Sequence, residues 1–100
     1  MEGDPRYHPD FPADLSAATE YFDGISLNLG NRFRDAVRQK TKAIAKRPES
    51  FGLIHGNIRL ALVDGFPYVI VFETLNDLVA LLGIFHAASD RTGWFGRSLI

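Results

Sequence analysis

Arg59 and His86 are the residues from which chemistry could be built. Three apolar runs lie between Asn57 and His86, and only these two groups in them suit anion or proton chemistry. A guanidinium can hold a phosphate or a carboxylate through paired N–H donors, and an imidazole changes charge near neutral pH. Each also has a plainer reading. A strand arginine can pair with a carboxylate such as Asp90 or Glu73, and a histidine at a strand end can be held by its neighbours' hydrogen bonds. A second basic feature is Arg34, Arg38, Lys42 and Lys46 at four-residue spacing. Such like charges repel by a few tenths of a kcal/mol each, and Asp35 offsets this only in part. The ladder reads as a solvated helix face or as a surface for an acidic partner. Trp94 reads as a lid over the strands or hairpin, or as an anchor for a target.

Composition narrows the rest. With 100 residues, 46% hydrophobic, the chain can build one domain with one modest core. No cysteine is present, which excludes disulfides and thiolate metal sites. The three histidines are not spaced with each other or with carboxylates as metal ligands, so no metal or cofactor is expected, and His8 and His55 receive no role. No basic-then-apolar leader is visible, and the longest apolar run, 78–85, is far too short to span a bilayer, so a cytoplasmic protein is expected. The net charge of −1 hides an asymmetry. Residues 1–23 carry six acids and one base, whereas residues 32–47 carry seven of the eleven bases. Any anionic partner must therefore be met by a local patch.

The elements that must position these groups follow from periodicity. Pro5 and Pro9 allow only a short edge strand around residues 6–8, which leaves an edge open to a peptide. Asp10 is a candidate N-cap, with Pro12 in the first turn. Leu15, Ala18, Phe22 and Ile25 form one apolar stripe of a helix, with Asp14 and Glu20 off it. Ser26 can cap a second helix whose apolar face is Leu29, Phe33, Ala36, Val37 and Ile44, and Pro48 stops it. The two helices, joined almost without a loop, form an antiparallel hairpin. Residues 50–55 read as a strand or its approach, with Gly56 as a break. Asp64-Gly65 and Asn76-Asp77 then separate the three runs, which gives an antiparallel meander whose last strand is apolar on both faces. The helical hairpin must cover one side of the sheet, and the other side is left as a docking surface for macromolecules.

This order resembles the RelE/ParE superfamily of bacterial toxins. The residues that carry the resemblance are Asp14-Leu15 opening the first helix, Phe33 in the second, then Pro48 and Phe51. They continue through Ile58-Arg59, Phe66-Pro67-Tyr68 and His86 to Asp90, Trp94 and Arg97. The match runs over nearly the whole chain and is nearest the ParE-like "plasmid stabilisation" branch. The resemblance implies an α+β fold, with an N-terminal α-helical hairpin packed on a twisted antiparallel sheet. It implies the toxin of a type II toxin–antitoxin pair, bound by a cognate antitoxin. ParE-like members poison DNA gyrase; RelE-like members cleave mRNA on the ribosome.

Ribonuclease chemistry must activate the 2′-OH, stabilise the phosphate charge and protonate the leaving oxygen. Arg59 and His86 are the candidates for it, but no lysine lies in the sheet and no tyrosine in the tail. A neutral chain also has little pull on ribosomal RNA. Gyrase inhibition is therefore ranked above mRNA cleavage, and a family member that binds antitoxin without toxicity is the third reading. Candidate target or antitoxin contacts are Arg34, Arg38, Lys42, Lys46, Arg59, Trp94 and Arg97. A small antitoxin binds as a segment that orders on the toxin, which needs an apolar groove or an open strand edge. A charge placed at Leu15 or Phe22 is expected to unfold the domain. A charge on the exposed helix face is expected to weaken antitoxin binding alone, as circular dichroism and a pull-down of the pair would report.

Overall fold

The computed structural model describes residues 4–99. In chain order the elements are β1 (Arg6–Tyr7), α1 (Phe11–Ile25), α2 (Leu27–Lys46), a 3₁₀ turn (Pro48–Ser50), β2 (Leu53–His55), β3 (Ile58–Leu62), β4 (Tyr68–Leu75), β5 (Leu78–His86) and α3 (Arg91–Phe95). The fold is α+β, with the helical hairpin packed on a five-stranded sheet in the order β1-β5-β4-β3-β2. No helix among the described residues is long and apolar enough to cross a membrane.

The helix boundaries follow local rules. Only Ser26 separates α1 from α2, and its Oγ accepts the Leu29 N–H at 3.0 Å as an N-cap should. Arg47, held before Pro48, leaves the helical region at φ −142° and ends α2. The start of α1 departs from expectation. Asp10 is the N-cap residue, but its side chain makes no cap bond; its N–H donates instead to His8 Nδ1 at 3.0 Å. The α1 stripe also ends a turn early. Ala18 and Phe22 are buried and Leu15 is half-buried, while Ile25 is exposed beside the interhelical turn.

Strands β2 to β5 form the expected antiparallel meander, each reversing on its neighbour. Asn76 takes the left-handed conformation (φ 54°) at the second turn, which asparagine tolerates. At the first turn Asp64 does not take a positive φ. Gly65 alone carries it (φ 85°), as the third residue of a turn closed by the Phe66 N–H donating to the Val63 carbonyl at 3.1 Å. The expectation of an all-antiparallel sheet needs correction. β1 runs parallel to β5, in the pairs Arg6–Ala80 and Tyr7–Leu81, so the sheet is mixed. Two residues of edge pairing leave no periodic trace of direction in a sequence, and the placement of α1 sets it.

Cores lie on both faces. Toward the helices, Phe22, Phe33, Val37 and Ile44 meet Ala61, Val63, Ile70, Phe72 and Leu81. Phe33 is fully buried, with ring centroids 4.9 Å from Phe22, 5.0 Å from Phe66 and 5.3 Å from Tyr68. The opposite face is not left bare, as the sequence had suggested. Ile58, Val69, Val71 and Leu82 are buried there with Trp94 of α3. A bulge in β5 lets one strand serve both layers: Val71 faces Gly83 but Phe72 faces Leu81, so Leu82 is the extra residue. Leu81 and Ile84 therefore both join the helix-side core, and Leu82 joins the other.

Phe33→Ala removes the ring shared by both helices and the β3–β4 turn. It is expected to cost about 3–5 kcal/mol in urea unfolding, with the slope of the transition unchanged.

Candidate functional site

Arg59 sits on the helix-facing side of β3. Its Nη1 donates to the Phe51 carbonyl at 2.6 Å and its Nε to Thr74 Oγ1 at 3.3 Å. It meets neither Glu73 nor Asp90, and the expected carboxylate pairing is corrected: the guanidinium ties the segment after the 3₁₀ turn to the sheet. The alternation of β3 explains this, because Glu73 points to the opposite face, toward the C-terminal tail. His86 ends β5, exposed. Its Nδ1 accepts the Ala88 N–H at 3.1 Å, and its ring meets Tyr68 edge-on at 5.4 Å. That is the plainer of its two readings. Arg59 is opposite Phe72 and His86 opposite Tyr68, on the two sides of β4. The two are thus separated by four residues of β4, about 13 Å along the strand, and do not share one site.

The basic ladder divides. Arg34 forms a two-pronged pair with Asp23 across the helical hairpin, with N–O distances of 2.6 and 3.2 Å. Arg38 pairs with Asp35 at 2.7 Å on an exposed helix face. Lys42 and Lys46 are exposed, with no carboxylate partner among the described residues. Lys40, off the ladder, meets Asp64 at 3.2 Å. Arg34 and Arg38 border a cleft between α1 and α2.

Trp94 is the lid of its plainer reading and not an exposed anchor. It is 1% exposed, its ring stacks on Phe85 at 5.8 Å, and its Nε1–H donates to Ser89 Oγ at 2.9 Å. The Arg91 guanidinium lies over its ring at 5.4 Å. Asp90 caps α3 by accepting the Thr92 N–H at 3.0 Å and the Thr92 hydroxyl at 2.9 Å. The Thr92 backbone N–H first, and then its hydroxyl, hold the Asp90 carboxyl below its ordinary value. That cap is present above the ordinary carboxylate range and lost as the pH falls through the lowered value.

Arg97 is committed to the fold as well. Its Nη1 donates to Asp14 Oδ2 at 2.6 Å and to the Leu82 carbonyl at 3.0 Å, and its Nη2 donates to Asp14 Oδ1 at 3.1 Å. Asp14 Oδ2 also accepts the Ile84 N–H at 3.1 Å. The hydrogen bond to Asp14, with its charge and that of Asp10, raises the Arg97 pKa above its ordinary value, so the cation persists across the working range. Sequence reasoning placed Asp14 off the apolar stripe of α1 with no partner and so missed this pair. Glu73, offered by the sequence only as a partner for Arg59, is a buried carboxylate that accepts the Ser98 hydroxyl at 2.8 Å and the Leu99 N–H at 2.5 Å. One signal was readable: an acid in the middle of an apolar strand needs a partner, and the polar tail is where it finds one.

Among the described residues no group of three or more His, Cys, Asp or Glu side chains is placed to hold a metal ion. No buried side-chain polar atom among them is without a hydrogen-bond partner. The class that fold and side chains define is therefore an α+β domain with structural ion pairs and basic surface. No protein-family model matches the chain, and no curated protein matches it.

The Asp14–Arg97 pair is 16% and 19% exposed at its two side chains, so water screens it only in part. A double-mutant cycle of Asp14→Ala and Arg97→Ala is expected to give a coupling of about 1–3 kcal/mol. Either single change should also shift Trp94 fluorescence to the red, because α3 loses its anchor.

Proposed function

We propose that the chain is the toxin of a type II toxin–antitoxin pair, a ParE-like inhibitor of DNA gyrase that acts in the cytoplasm and is neutralised by a cognate antitoxin. The observation that carries the reading is where the resemblance-bearing residues fall. Phe33, Phe66 and Tyr68 close one aromatic cluster under the helical hairpin. Asp14, Trp94 and Arg97 close the tail on the far side. Residues scattered over nearly the whole sequence thus act as two interlocking sets, which fits selection for one particular fold. Inhibition by surface contact needs no catalytic group, and the separation of Arg59 from His86 favours that over RelE-like mRNA cleavage. A net charge of −1 also gives little general attraction to ribosomal RNA.

Induction of the chain alone in bacteria is expected to produce filaments with damaged nucleoids, and the purified chain should block supercoiling by gyrase and leave cleaved DNA complexes. Folded His86→Ala and Arg59→Ala variants should keep that inhibition within about threefold. Rapid translational arrest that both substitutions abolish would replace this reading with the ribonuclease one. Unchanged growth would mean that the chain is not toxic.

A further inference from the structure

One row of side chains crosses all five strands on the far face of the sheet. His55 is opposite Ile58, Ile58 opposite Glu73, Glu73 opposite Ala80, and Ala80 beside Arg6. Residues so paired point to the same face. The C-terminal tail lies over the centre of the row, where Glu73 accepts the Ser98 hydroxyl and the Leu99 N–H. Beside the tail, toward β2, a hollow of about 240 Å³ opens among His55, Asn57, Ile58, Phe95 and Ser98, with Glu73 in its lining. That is smaller than the roughly 300–1,000 Å³ of pockets for drug-sized ligands, and it suits a single head group.

Glu73 is the unusual member of the row. It is 2% exposed, yet no ion pair among the described residues includes it. Arg6 lies two strands away, about 10 Å across the sheet, and Arg59 is turned toward the Phe51 carbonyl on the helix side. The two groups that meet the carboxylate are neutral donors. A carboxylate offers about four lone-pair sites, so these donors leave about two open. A buried carboxylate without a cation is costly, and a cation that reaches it is held more strongly than in water.

The facing wall of the hollow is flat. The His55 ring stacks on Phe95, with centroids 4.4 Å apart and planes 15° from parallel. A flat aromatic wall beside an under-used carboxylate selects among cations. An ammonium is compact and strongly hydrated. A guanidinium is planar and more weakly hydrated, stacks on rings and presents paired donors.

We propose that this hollow binds a guanidinium group carried on an alkyl stem. The group donates to Glu73, and its plane lies against the stacked His55 and Phe95 rings. Two sources carry such a group: a free small molecule and an arginine side chain of a partner protein. The site is independent of whether the chain is toxic.

The test follows amide chemical shifts of the full chain at pH 8, above the usual imidazole range. The ligands are n-butylguanidine, n-butylamine and the neutral, near-isosteric n-butylurea. Butylguanidine is expected to bind at least fivefold more tightly than butylamine and at least tenfold more tightly than butylurea, with shifts centred on His55, Ile58 and Glu73. Glu73→Gln keeps the shape of the side chain and should lower butylguanidine affinity at least tenfold. Phe95→Leu should abolish the preference for butylguanidine over butylamine and leave butylamine affinity within twofold. Melting curves establish that each variant is folded. Should either not fold, the ranking of the three ligands and the shift map of the unaltered chain decide. A blocked Gly-Arg-Gly peptide separates the sources. It binds more tightly than butylguanidine where the hollow takes a partner's arginine and more weakly where it takes a free molecule, and either order supports the site. No binding, equal binding of butylguanidine and butylurea, undiminished binding by folded Glu73→Gln, a preference that folded Phe95→Leu retains, or shifts centred on Glu20 and Asp35 would overturn it.

Discussion

The structure depends on one salt bridge made around the free edge of a strand. β1 reaches only as far as Leu81, so the next stretch of β5 has no neighbour on that side. There the Asp14 carboxylate accepts the Ile84 N–H, and the Arg97 guanidinium donates to the Leu82 carbonyl while the two side chains grip each other. Asp14 belongs to the helical layer and Arg97 to the tail on the opposite face, so the pair clasps both layers onto the sheet. It can do so because Gly83 has no side chain. A Cβ there would lie 2.6 Å from Arg97 Nη1 and 2.8 Å from Asp14 Oδ2, closer than real Cβ atoms come. The backbone groups that a short edge strand leaves unmet are therefore satisfied by an ion pair, and an open edge is sealed.

That clasp explains why the far face of the sheet is not the surface that the meander alone suggests. With Arg97 fixed, Ser98 and Leu99 fall on Glu73, and Trp94 is carried over Val69, Val71 and Leu82. A second small core forms where a bare sheet would have exposed a row of valines and leucines. Burial of Trp94, with Phe85 and Phe95 half-buried against it, contributes on the order of a few kcal/mol, a large part of the margin of a 100-residue domain. Two clefts lie along the helices, where Leu15 and Arg34 line both.

Much of this was legible in the chain. The Ser26 cap, the stop at Pro48, the buried face of Phe33, Val37 and Ile44, and the three reversing strands each rest on residues within a few positions of one another. What escaped depends on distant partners. Asp14 lies off the apolar stripe, as periodicity says, yet it points at β5 because a residue 83 positions away meets it there. The extra residue at Leu82 leaves no mark in a run apolar on both faces. Arg59 was matched with the nearest plausible acid, but strand alternation sends Glu73 to the other face, and a backbone carbonyl takes the acid's place. The direction of β1 had the least support, since two paired residues carry no pattern.

The charge asymmetry of the sequence survives folding because the acids and bases are consumed unequally. Asp14 and Asp23, from the acidic N-terminal stretch, are spent on Arg97 and Arg34 inside the fold. Of the bases on α2, Arg34 and Lys40 reach carboxylates on other elements, Arg38 has only the exposed Asp35 beside it, and Lys42 and Lys46 face water. A chain of net charge −1 thus presents a basic row along one helix. Successive charges on that row lie about 6 Å apart, less than the Debye length of about 8 Å at physiological salt, so they act together on whatever approaches. Such a row speeds encounter with an anion and selects its sign. Arg59 and His86, the two residues that first suggested chemistry, are instead fastened to their own backbone surroundings at opposite sides of β4.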